Sequence, residues 1–242
     1  LDVIAQLKEQ INYGNDTASK ISTHPGGQAA NVATWITRTN NKAVIVARVG
    51  NDPVGFALVS DLDKYGVQHK GLMRSGRPSG VVVILVDSNG ERTMFPDSGA
   101  NSHLSKSDLP ALDGIDAAYI SGYALINPNS RANAVEILKE LKSANIPMVI
   151  DPGTVGALRN IPMTDIKNWL TFADVLILND EEARFLAGKD DLKDCLFELA
   201  KIVQVVVIKE GKKGSIAINK EVVALPSVFK SGKVLLSIPG IK

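Results

Sequence analysis

Seven short aliphatic runs, each followed by turn residues and separated by longer helical patterns, constrain this 242-residue chain more than any other feature. They are Lys42–Val49, Val81–Val86, Ala117–Ile120, Met148–Asp151, Asp174–Leu178, Val205–Ile208 and Ser215–Ile218. Strands without polar alternation need cover on both faces, and a parallel sheet flanked by helices supplies it. The helical patterns are there to do so. Gly27–Arg38 sets Ala29, Val32, Ala33 and Ile36 on one side, and Asn129–Ala144 does the same with Ala134, Ile137, Leu138 and Leu141. Asp52-Pro53 ahead of Val54–Tyr65 reads as an N-cap followed by proline at the first helical position. Strand and helix alternate, which predicts an α/β chain with a doubly wound, mostly parallel sheet.

Two stretches break the alternation. Asn12–Thr23 is polar and poor in aliphatics, and Arg77–Pro96 holds Val81–Val86, the turn Asp87-Ser88-Asn89-Gly90 and then Glu91–Phe95. The second has the turn chemistry of a hairpin, and an antiparallel hairpin does not belong inside a βαβ series. Both are expected to form a small β lid inserted into the main domain. The expected division is residues 1–2, 24–76 and 98–242 as the α/β core and 3–23 with 77–97 as the lid. The lid's exposed strand edges leave room for a homodimer through it.

Charge and composition remove several function classes. Lys and Arg number 27 against 26 Asp and Glu, without the basic excess on which counterion-driven nucleic-acid binding depends, so no nucleic-acid partner is expected. The longest aliphatic run, Val81–Val86, is far below the ~18 residues of a membrane span, so no membrane partner is expected either. The single cysteine, Cys195, forms no internal disulfide, and Leu1 onward does not read as an export signal; a cytoplasmic location is expected. Neither the G-x-x-x-x-G-K-[ST] nor the G-x-G-x-x-G phosphate loop occurs, and zinc and serine-hydrolase signatures are missing too. His24, His69 and His103 are scattered through polar sequence with no ligand cluster beside them.

Four places could carry chemistry. Pro25-Gly26-Gly27-Gln28-Ala29-Ala30-Asn31 opens a helix. Adjacent glycines let main-chain amides approach a ligand, and Asn31 can both donate to and accept from hydroxyls. The competing reading is a loop glycine pair with a packing Asn. Val49-Gly50-Asn51-Asp52-Pro53-Val54-Gly55 is by itself a strand end and a capped helix. Asn179-Asp180-Glu181-Glu182 follows a strand, where carboxylates can hold a metal or position phosphates, or else favour a helix dipole. Lys209-Glu210-Gly211-Lys212-Lys213-Gly214 joins two strands and, as a bare pattern, is a β-turn with solvated lysines.

In this order and spacing the four places resemble the ribokinase family, also called the PfkB carbohydrate kinases. The first signature spans Gly26-Gly27-Gln28-Ala29-Ala30-Asn31 through Val49-Gly50-Asn51-Asp52-Pro53-Val54-Gly55. Gly90-Glu91-Arg92-Thr93, Ser98-Gly99-Ala100-Asn101, Asp151-Pro152, the N-x-x-E of Asn179 and Glu182, and Lys209–Gly214 follow in the family's order. The resemblance implies a Rossmann-like, ribokinase-like core with a β lid, ATP as phosphate donor, Mg²⁺ at the phosphates and a small-molecule sugar as substrate. It makes Asp2, Gly26, Gly27 and Asn31 sugar contacts. It makes Asn179 and Glu182 the organisers of Mg²⁺ and phosphate, the carboxylate acting through water, and Lys209, Gly211 and Gly214 the lining of the nucleotide. Lys209 is a departure, since relatives commonly carry a small hydroxyl residue there.

The ends depart further. The strand that precedes Leu1-Asp2 in the family is missing, and no D-T-x-G-A-G-D occurs, the motif that supplies the family's anion-hole amides and general base. Phosphoryl transfer depends on positioning and charge stabilisation, which that motif provides. The expectation is therefore an ATP-dependent carbohydrate kinase whose 242 residues, taken alone, are inactive. The alternatives are a nucleoside kinase on the same fold and a non-catalytic remnant that only binds ligand.

Overall fold

A computed structural model describes residues 1–69, 72–74, 76–220 and 234–239, the side chains of 73, 74 and 234–239 excepted. The chain separates into two compact units, Leu1–Pro110 and Ala111–Lys242.

The first unit contains strands β1 (Asp2–Leu7), β2 (Ser19–His24), β3 (Val44–Ile45), β4 (Val49–Gly50), β5 (Gln68–His69), β6 (Met73–Arg74), β7 (Val81–Val86) and β8 (Arg92–Asp97), with helices α1 (Gln28–Arg38) and α2 (Pro53–Lys64). A four-stranded sheet runs in the order β2-β1-β7-β8. Within it β1 is antiparallel to β2 and parallel to β7. The β7–β8 hairpin closes over Asp87–Gly90, with Val86 opposite Arg92. Asp87 makes that turn, its Oδ1 accepting the N–H groups of Asn89 and Glu91 at 2.9 Å each. Elsewhere in the unit β3 pairs with β5 and β4 with β6, both parallel. Ala33 of α1 and Leu62 of α2 pack there with Ala43, Ile45, Val49, Val67 and Leu72. The run Lys42–Val49, expected as one strand, is thus two short strands with different partners. The N–H of Arg48 donates to Asn101 Oδ1 at 3.0 Å and its guanidinium to Asp108, so the backbone leaves one ladder before joining the next.

Asp52 caps α2, accepting the N–H of Gly55 at 2.7 Å. The same carboxylate accepts the N–H and the hydroxyl of buried Ser79, each at 2.7 Å. Ser79 Oγ in turn accepts the N–H of Gly50 at 2.9 Å. One residue therefore ties the start of a helix to the segment that leads into β7. These hydrogen bonds hold the Asp52 carboxyl below the usual carboxylate range.

The second unit contains β9 (Ala118–Ser121), α3 (Tyr123–Ile126), α4 (Arg131–Ser143), β10 (Met148–Asp151), α5 (Val155–Leu158), α6 (Met163–Leu170), β11 (Val175–Asn179), α7 (Asp180–Ala187), α8 (Leu192–Leu199), β12 (Val205–Lys209), β13 (Gly214–Asn219) and β14 (Val234–Pro239). Its sheet runs β14-β13-β12-β11-β10-β9. The strands β9 to β12 are parallel, and β13 and β14 are antiparallel additions. Helices connect each parallel strand to the next, as a parallel sheet requires. Met148, Ile150, Leu176, Leu178, Val206 and Ile208 on the strands and Leu138, Leu141, Ile166, Leu196 and Leu199 on the helices are all buried. The alternation of strand and helix is an α/β fold. Among the described residues no helix is long and apolar enough to cross a membrane. Most of the segment after Lys220 lies outside the described residues.

Candidate active site

In the first unit, β2 ends at His24 and the chain turns through Pro25-Gly26-Gly27 into α1. Asp2, the first residue of β1, stands opposite His24 in the ladder, which brings its carboxylate against the turn. A Cβ on Gly26 would lie 2.2 Å from Asp2 Oδ1, so only glycine lets the carboxylate sit there. Gly27 has φ 104°, a conformation that strains any residue with a side chain. Three sequence-derived residues, Asp2, Gly26 and Gly27, thus meet at one point. Asn31, within the first turns of α1, is exposed, its N–H satisfied by the carbonyl of Gly27. The arrangement offers a carboxylate acceptor, a helix N-terminus and an amide side chain on one unit, the groups that hydroxyl-rich ligands need.

In the second unit, four adjacent parallel strands end in polar residues: Ser121, Asp151, Asn179 and Lys209. The carboxyl ends of the strands are where open α/β sheets bind ligands. Register fixes their neighbours, Ser121 beside Asp151 and Asn179 beside Lys209. Asn179 caps α7 in a closed box. Its Oδ1 accepts the N–H of Glu182, while its own N–H and Nδ2 donate to the two oxygens of Glu182, all at 2.8 Å. The N-x-x-E spacing is thus one turn of helix folded back on its cap.

Glu182 is 3% exposed. Burial raises its carboxyl from the ordinary 4.5 to about 7, and the charge of Asp151 adds to the rise, against the Asn179 N–H and Lys209. Asp151, also buried, accepts from Lys209 Nζ at 3.2 Å and from the N–H of Gly153 at 3.2 Å. The Tyr119 hydroxyl bonds Asp151 and is held well above its usual range, first by burial and then by that charge. Burial likewise raises Tyr123, with Glu182 and Asp151 adding to it. The turn Glu210–Gly214 closes with the N–H of Glu210 on the carbonyl of Gly214 at 2.8 Å, both Gly211 and Gly214 having positive φ.

Asn179, Glu182 and Lys209 therefore converge on a fourth residue, Asp151, which the sequence offered only as part of a strand-end step. Tyr119 and Tyr123 are also new to the site. Their signal was position alone: polar groups close to the carboxyl end of a strand.

The sequence model of the pfkB family carbohydrate kinases matches residues 2–235. A fructokinase of Vibrio alginolyticus is 29% identical over 201 residues, 78% of this chain and 64% of that protein. A fructokinase of Klebsiella pneumoniae is 30% identical over 209 residues, 82% of this chain and 67% of that one. The chain thus spans slightly under two thirds of the first relative's length. Among solved structures, fructokinase from Vibrio cholerae O395 bound to fructose, ADP and calcium ion superposes with a TM-score of 0.77 at 22% identity, covering 100% of this chain and 75% of that one. Adenosine kinase from Sinorhizobium meliloti superposes with a TM-score of 0.80 at 17% identity, covering 100% and 78%. At such identities the likeness is one of fold, and the fold is ribokinase-like.

Proposed function

The chain belongs to the pfkB family of carbohydrate kinases, and from that premise we propose that it serves ATP-dependent phosphorylation of a sugar hydroxyl, with fructose as the favoured acceptor. The observation that carries the sugar half is the Asp2 carboxylate set against Gly26 at the entrance to α1. A carboxylate accepts two hydroxyl protons through charge-assisted bonds, and Asn31 and the Gly26–Gly27 amides add contacts of either polarity. Fructose is favoured over a nucleoside because the relatives matched by sequence at 29–30% identity are fructokinases. The adenosine kinase match rests on fold at 17% identity.

The donor half is assigned to the strand ends of the second unit. Lys209 offers an ammonium to phosphate oxygens, and the Gly211 and Gly214 turn leaves space for the nucleotide. Among the described residues no group of three His, Cys, Asp or Glu side chains could cage a metal. Both oxygens of Glu182 already accept hydrogen bonds from Asn179. That donor set fits Mg²⁺, which keeps several waters and binds through one or two carboxylates plus substrate phosphates. Asp151 and, through water, Glu182 would hold it, and bound there it would neutralise phosphate charge. Because burial raises Glu182 to about 7, its carboxylate would hold the cation better above that pH than below it.

The β lid is assigned to β1, β2, β7 and β8, whose closure over the sugar would exclude water. Ile21, Val83 and Phe95 are exposed on one face of this sheet by register, and a second copy of the chain is the proposed cover. Sedimentation velocity at rising concentration checks this, a persistent monomer being the contrary result. The lone Cys195 and the absence of a spanning helix among the described residues support a cytoplasmic enzyme.

No Asp-Thr-x-Gly-Ala-Gly-Asp occurs in the 242 residues, so this chain supplies no assigned base. The proposal for this polypeptide by itself is binding without turnover, since each lost oxyanion donor alone costs roughly 10²–10³ in rate. An ADP-release assay with fructose and MgATP tests it. No release above an enzyme-free control is expected, and sustained turnover would require a substitute base.

A further inference from the structure

We propose that Lys209 is a tethered counter-ion, one that occupies Asp151 until nucleotide phosphates draw the ammonium away and so couples divalent-cation binding to nucleotide binding. The inference rests on the donor half of the kinase reading.

The hydrogen bonds at the strand ends differ in how readily they can be exchanged. The Glu182 oxygens are held by a main-chain N–H and by the side chain that caps the same helix. Asp151 Oδ1 is held by the main-chain N–H of Gly153, and the half-buried Tyr119 hydroxyl on β9 also bonds this carboxylate. Asp151 Oδ2 is held by Lys209 Nζ, at the end of a flexible four-carbon stem whose side chain is 49% exposed, against 8% for that of Asp151. Of these partners the lysine is the one that can swing into solvent without unfolding a turn.

Its charge makes the exchange consequential. An ammonium at 3.2 Å balances the charge of the Asp151 carboxylate. A free divalent cation approaching the same carboxylates meets that positive charge and must displace or tolerate it. Nucleotide phosphates offer the ammonium another charge-assisted partner. Once Lys209 moves to them, Asp151 Oδ2 is open to the cation that the phosphates also attract. Each ligand then raises the affinity of the other by the same factor.

The test is titration with Mn²⁺ alone, followed by free Mn²⁺ electron paramagnetic resonance, and separately with ADP. Lys209→Met is expected to bind Mn²⁺ about tenfold more tightly than the wild type without nucleotide, and ADP more weakly. Lys209→Arg keeps the charge and should retain the wild-type Mn²⁺ affinity. In the double variant Asp151→Asn/Lys209→Met the gain should vanish. Unchanged or weaker Mn²⁺ binding by Lys209→Met, or a gain that survives Asp151→Asn, would overturn the proposal. Failure of ADP to bind the wild type contradicts the kinase reading instead, and is told apart because the manganese titration contains no nucleotide.

Discussion

At Gly26 a hydrogen atom in place of a methyl group decides whether the Asp2 carboxylate can sit against the turn. The three atoms nearest a Cβ there all belong to the Asp2 carboxylate, so Gly26→Ala must rotate that group away. Fructose affinity should fall by at least tenfold while the melting temperature changes little, because the displaced side chain is short and half-buried. Calorimetric titration beside a thermal melt checks both, and undiminished affinity would take Asp2 out of the site. Glu182 gives a prediction with an unusual sign. Its folded-state carboxyl titrates near 7 against an ordinary 4.5, so between those values the folded state binds the extra proton. Wild-type stability should therefore fall as pH rises from 4.5 to 7, and Glu182→Gln should flatten that slope. Denaturant unfolding across this range measures it; a slope of opposite sign would contradict the burial argument. At this scale the sequence showed Gly26, Gly27, Asn179 and Glu182, because turn and cap chemistry act over a few residues. It did not show Asp151 as a partner of Lys209, which lies 58 residues away and is set by sheet register.

Among the elements, legibility followed the range of the forces involved. Met148–Asp151 and the three longer helices are readable to within two residues, since each carries its own run or spacing of apolar residues. Lys42–Val49 reads as one strand in the sequence and is two in the structure, because Arg48 is drawn off by Asn101 and Asp108, both more than 50 residues away. Asp52 was readable as a cap and hidden as a fastener. Replacing it with Ala removes the helix cap, worth about 1 kcal/mol, and strands the N–H of buried Ser79, at about 1–3 kcal/mol. Asp52→Ala should therefore cost more than the cap alone, and amide exchange at Val81 and Val82 should quicken. A loss of only about 1 kcal/mol with unchanged exchange would mean that Ser79 finds another partner.

For the whole molecule, strand–helix alternation and motif order are enough to indicate an α/β member of the pfkB family. The boundary at Pro110 was not readable, since no linker-like composition marks it and only spatial contact separates the two units. The preference for a sugar over a nucleoside is the central claim; it rests on the fructokinase relatives, and the Asp2 carboxylate set against Gly26 is the group proposed to hold the sugar hydroxyls. The most direct test is isothermal titration of the chain with fructose and with adenosine, repeated on Asp2→Ala. The expected result is fructose binding that is lost in Asp2→Ala, each charge-assisted hydroxyl bond being worth about 1.5–3 kcal/mol, and no binding of adenosine. Adenosine binding without fructose binding, or fructose binding indifferent to Asp2, would contradict the account.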